Sequence, residues 1–106
     1  MSDDADAVIL DSERTFTVWK YTVGHSMLLL RSVKSEVAQS RVDVLFAGVD
    51  RMEIPSTMDG LRIVGDGTYE LSGPRWRGSV TALHCSVRED SGEYFDPSPF
   101  HEGSGI

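Results

Sequence analysis

WKYTVGHSMLLLRS, residues Trp19 to Ser32, holds two apolar runs with a Gly-His pair between them. The aromatic and β-branched residues before Gly24 favour extended chain. Gly-X is also the pair a two-residue type II′ turn takes, because its first central position has positive φ. The stretch therefore reads as a β-hairpin with His25 at its corner. A general base there would need a nucleophile and an orienting group, and no neighbour in the sequence supplies either.

Outward from this hairpin, the chain continues as short β runs divided by Gly, Pro, Ser and Asp. The runs are Thr15–Val23, Ser26–Ser32, Arg41–Val49, Met52–Ile54, Leu61–Val64, Thr68–Leu71 and Ser79–Arg88. Turn signals stand at Gly48, Pro55, Asp59-Gly60, Gly65-Asp66-Gly67 and Gly73-Pro74. The expected fold is all-β: an antiparallel β-sandwich or partly open barrel of about seven short strands. At most one short helical segment is expected, over Ser32–Ser40, where Val33 and Val37 lie four apart but the run is too short to hold alone.

Side chains alternate between the two faces of a strand. In the last run Leu83, Cys85 and Val87 share one phase, against Ala82, His84, Ser86 and Arg88. In the first runs both phases are apolar: Phe16 and Val18 oppose Trp19, Tyr21 and Val23, while Met27 and Leu29 oppose Leu28 and Leu30. One face can pack on the later strands; the other needs cover. A second copy of the chain is the first candidate, through Trp19, Tyr21, Met27 and Leu29, and a folded-back tail carrying Tyr94, Phe95 and Phe100 is the alternative.

A chain of 106 residues makes one domain and buries roughly 65% of its unfolded surface. Its net charge of −7 belongs to the ends. Residues 1–13 and 89–106 each hold five acids and no base, leaving seven acids against all ten bases in 14–88, a net +3. The expected organisation is an acidic, partly disordered segment 1–13, a β domain 14–88, and an acidic, aromatic-containing tail 89–106. The lone Cys85 cannot form an intramolecular disulfide, no secretory signal opens the chain, and no apolar run suggests a membrane span. The cytoplasm is the expected compartment, and the excess of Arg over Lys, with no Asn, suggests GC-rich bacterial coding.

No metal, cofactor or catalytic set is expected. His25, His84 and His101 are too widely spaced for a zinc site, and His84 and Cys85 point to opposite faces of a regular strand. Cys85 lies on the apolar phase, where a thiol is inert core. The carboxylates are scattered over turns and polar phases. Gly65-Asp66-Gly67 lacks the Lys-Ser/Thr and the helix of a phosphate loop and reads as a hairpin connection with positive φ.

Gly73-Pro74-Arg75-Trp76-Arg77-Gly78 is the most informative stretch for function. Arg and Trp are enriched at binding hot spots, and loops on a β scaffold carry recognition, so Arg75, Trp76 and Arg77 are the candidate binding residues. The ordinary alternative has Trp76 capping one end of the fold while the arginines pair with nearby acids. Nucleic acid is not the expected partner, since −5 at each end opposes it.

These features do not assemble into a family's motif set. They point to a non-enzymatic protein-binding or regulatory module that self-associates, one version being an acidic, immunity-protein-like neutraliser of a basic partner. The alternative is a small enzyme or ligand-binding β-barrel using His25 or His84 with carboxylates around a concave pocket.

Overall fold

Eight antiparallel strands form one sheet in the computed structural model, which describes residues 8–33 and 40–90. They are β1 (Val8–Thr22), β2 (Met27–Ser32), β3 (Arg41–Ala47), β4 (Arg51–Glu53), β5 (Thr57–Asp66), β6 (Thr68–Gly73), β7 (Trp76–Thr81) and β8 (His84–Asp90). The spatial order is β4-β7-β6-β5-β1-β2-β3-β8, with β4 and β8 as edges, so the sheet is not closed. This is the all-β, partly open architecture that the alternation and turn spacing imply. The count is eight because the last apolar run divides at Ala82 and Leu83 into β7 and β8.

The connections force the sheet to curl. β3 and β4 lie six strand spacings apart in the order, about 29 Å in a flat sheet, yet only Gly48–Asp50 joins them. Four Cα–Cα steps span at most about 15 Å. β7 and β8 are equally distant in the order and are joined through Ala82 and Leu83 alone. Backbone hydrogen bonds pin both crossings: Asp50 N–H donates to Thr81 O (2.8 Å), and Leu83 N–H to Ala47 O (2.9 Å).

β1 makes the curl possible. Its residues 8–17 pair with β5 and its residues 17–22 with β2, with register irregularities between Val8 and Leu10, Ser12 and Thr15, and Val18 and Lys20. Bulges raise the local twist, which lets one long strand turn from one half of the sheet into the other. The halves then face each other across the core: Phe46 of β3 meets Tyr69 of β6 edge-on, ring centroids 5.5 Å apart. Leu28, Leu30 and Val44 from one half and Met58, Ile63 and Val80 from the other complete an apolar interior.

The bulge at Trp19 changes the phase read from sequence. Val18 pairs with Leu30 and Tyr21 with Leu28, so Tyr21 joins Phe16 and Val18 on the inner side instead of opposing them. Trp19 stays outside, 4.9 Å above the Arg31 guanidinium. The outer face of β2 and β3 is buried too: Leu29, Arg31, Arg41 and Asp43 are each no more than 2% exposed.

The β1–β2 corner also differs from the expected two-residue turn. Val23–His25 form a 3-10 turn, Ser26 N–H donates to Val23 O (3.2 Å), and the positive φ falls on Ser26 (52°), not on Gly24. The β5–β6 connection has positive φ at Gly65 and Gly67, as its sequence implies. β1 starts at Val8, so residues 8–13, assigned from charge to the acidic N-terminal segment, are strand. Most of the Ser32–Ser40 stretch, the segment 1–7, and the tail with Tyr94, Phe95, Phe100 and His101 lie outside the described residues.

Candidate functional site

Gly73 and Trp76 face each other across β6 and β7, leaving Pro74 and Arg75 as the hairpin tip. Proline at the first central position presets φ for a tight turn. Trp76 folds across Gly73: a Cβ at Gly73 would meet Trp76 Nε1 at 2.1 Å and Asp59 O at 2.6 Å. The indole N–H donates to Gly60 O (3.1 Å) and more loosely to Asp59 O (3.4 Å). Those carbonyls are available because β5 kinks at Gly60 (φ +78°), opposite the β1 irregularity between Ser12 and Thr15. Trp76 is therefore half-buried against the core and fastens the hairpin to β5.

Arg75 and Arg77 have a different role. Both are exposed, and neither makes a hydrogen bond or ion pair among the described residues. The three candidate binding residues thus separate into an anchor, Trp76, and two displayed cations.

Arg77 belongs to a row that the sequence does not reveal. β5, β6 and β7 pair without irregularity, placing Arg62 opposite Ser72 and Ser72 opposite Arg77, with Asp11 of β1 next to Arg62. All four lie on the outer face, alternating with inward Ile63 and Leu71. Two grooves flank the row and share Arg62, Ser72 and Gly73. One, of about 620 Å³, runs between Pro74 and the acidic side chains Asp11, Glu13 and Asp59. The other, of about 490 Å³, is lined by Ser72, Arg77, Ser79 and the acidic Glu70. Asp59 accepts a hydrogen bond from Thr15 Oγ1 (2.8 Å), and Asp11 reaches Arg62 at 3.8 Å. Arg62 and Ser72 were missed because cross-strand neighbours ten residues apart carry no local pattern; only the Gly73–Trp76 pairing, an aromatic covering a strand glycine, has a recognisable signature.

The four residues proposed for self-association do not share one surface. Trp19 is exposed and Met27 half-buried, but Tyr21 faces the core and Leu29 is 2% exposed. His25 is exposed in the corner, and His84 is exposed on the outer row with Met27 and Ala47. Cys85 faces inward opposite Phe46, and burial pushes its thiol up to about 12. No group of three or more His, Cys, Asp or Glu that could hold a metal occurs among the described residues, and none of their helices is long and apolar enough to cross a membrane.

At the open end of the curled sheet, Arg14 of β1 donates to Ser40 O (3.0 Å) and Ser40 Oγ (2.7 Å) and lies 3.5 Å from Glu89 of β8. This cluster ties the two halves together and leaves the arginines of the hairpin face uninvolved.

The chain matches no protein-family model, no curated protein and no solved structure.

Proposed function

We propose that this chain is a non-enzymatic protein-binding module whose recognition surface is the β6–β7 hairpin and the strand face beside it. One observation carries the reading: Arg75 and Arg77 are displayed without partners among the described residues on a hairpin that Trp76 holds rigid. Cations held ready on a preorganised scaffold lose little entropy on binding and break no internal pair.

Self-association finds less support, because Leu29 and Tyr21 are enclosed by the chain itself. Neutralisation of a basic partner by the chain's acidity would draw largely on terminal residues outside those described. A ligand-binding barrel would use a concave interior, whereas this interior is filled by apolar side chains and both described histidines are at the surface.

The test is affinity capture from a lysate of the source organism with the intact chain and with the Arg75→Ala/Arg77→Ala variant. Trp76 is left in place because its loss would loosen the hairpin. A discrete partner retained by the intact chain and lost by the variant, with equal unfolding midpoints, is the expected result. Equal retention by both chains, or none by either, overturns the reading.

A further inference from the structure

We propose that Arg62, Ser72 and Arg77 form a site for a phosphoryl group. The proposal rests on the reading of this face as a recognition surface and names the chemistry it takes. Arg62 and Arg77 stand two strand spacings apart, about 10 Å, on either side of Ser72. The uninterrupted register of β6 with both neighbours holds all three on the outer face. Two long arginine side chains can close over the central serine from opposite sides, and Arg62, Ser72 and Arg77 all line the groove of about 490 Å³ in which they would meet.

The donor set selects the ligand. A carboxylate is planar and is satisfied by one guanidinium fork. Here two forks flank the Ser72 hydroxyl, with Ser79 also lining the groove, an arrangement for several oxygens and a charge near −2. Arg77 has no partner among the described residues, and Arg62 holds Asp11 only loosely, at 3.8 Å with side chains 50% and 69% exposed. Asp11 thus occupies one arm of the site as an internal competitor. Glu70 also lines the groove, two residues from Ser72 on β6 and opposite Ser79, so its carboxylate opposes an anion beside Ser79 and favours a seat between Ser72 and Arg77.

The full chain, labelled with 15N, is titrated at low, constant ionic strength with inorganic phosphate, with a short phosphoserine peptide, and with the same peptide unphosphorylated. The expected result is saturating shifts at amides of residues 71–79 with phosphate and the phosphopeptide but not with the serine peptide. Arg62→Gln and Arg77→Gln should each weaken binding about tenfold, the loss of one charge-assisted hydrogen-bonding partner. Asp11→Asn should tighten it by releasing Arg62. A phosphopeptide that binds more tightly than free phosphate identifies a phosphorylated polypeptide as the source; the reverse order identifies free phosphate or a small phosphate ester. Absence of saturation, or saturation unchanged in both glutamine variants, overturns the phosphoryl assignment. If partner capture is nonetheless lost in the Arg75→Ala/Arg77→Ala chain, the recognition surface stands and only its ligand chemistry falls.

Discussion

Arg31 and Asp43 face each other across β2 and β3 in a two-pronged ion pair, Nε to Oδ1 at 2.8 Å and Nη2 to Oδ2 at 3.1 Å, with both side chains 1% exposed. The pair occupies the outer face, beneath Trp19, where a curled sheet would otherwise present polar groups to water. Removing one partner strands the other as a buried charge, and that penalty exceeds the net worth of the intact pair.

Asp43→Ala is accordingly expected to lower the stability by about 3–5 kcal/mol. Asp11→Ala, which removes the exposed partner of Arg62, should change it by no more than about 0.5 kcal/mol. Urea unfolding of the two variants separates them. Equal losses would mean that the Arg31–Asp43 pair is not sealed from solvent.

Gly73→Ala is expected to expel Trp76 from its seat on Gly60 and to cost about 1–3 kcal/mol by overpacking. In a Trp19→Phe background the emission reports on Trp76 alone and should shift to the red. Unchanged emission would show that the indole is held by contacts other than the strand glycine.

At the β1–β2 corner the two small residues should behave oppositely to their sequence roles. Ser26 carries the left-handed conformation, so Ser26→Gly should stabilise the chain by up to about 1 kcal/mol. Gly24 has no positive φ, and a Cβ there meets nothing within 4 Å. Gly24→Ala should therefore be neutral or stabilising by up to about 1 kcal/mol. Thermal melts test both, and a destabilised Gly24→Ala would restore the two-residue turn.

Cys85 should be protonated and unreactive toward maleimide at pH 8 in the folded chain, and should react at the rate of a free thiol in denaturant. Burial raises its folded pKa from 9.0 to about 12. The folded state then binds more protons than the unfolded state between these values, so this thiol's contribution is complete below pH 9 and declines as the pH rises toward 12. A Cys85→Ala chain should lack that component of alkaline destabilisation.

The phase expected of Leu83 with Cys85 and of Ala82 with His84 is reversed, Ala82 being 5% and Leu83 74% exposed, because the chain crosses from β7 to β8 at these two residues. The all-β class, the alternation of inward Cys85 and Val87 with outward His84, Ser86 and Arg88, and the positive φ of Gly65 and Gly67 were all legible in the sequence. Each depends on residues within a few positions of one another. Arg75 and Arg77 were legible as candidate binding residues, but whether they pair with nearby acids was not, because that depends on which acids the fold brings beside them. Which face Tyr21 takes was not, because a single bulged residue at Trp19 reverses every side chain beyond it. Trp76's role depends on Gly60 and Asp59 reaching it from another strand, and the row Arg62–Ser72–Arg77 exists only once β5, β6 and β7 are in register. Propensity and alternation are local properties of a chain, whereas register, curl and cross-strand neighbours are settled by long-range pairing around a shared core. That is why the strands can be read from the order of residues, and the face they build together only from the tertiary structure.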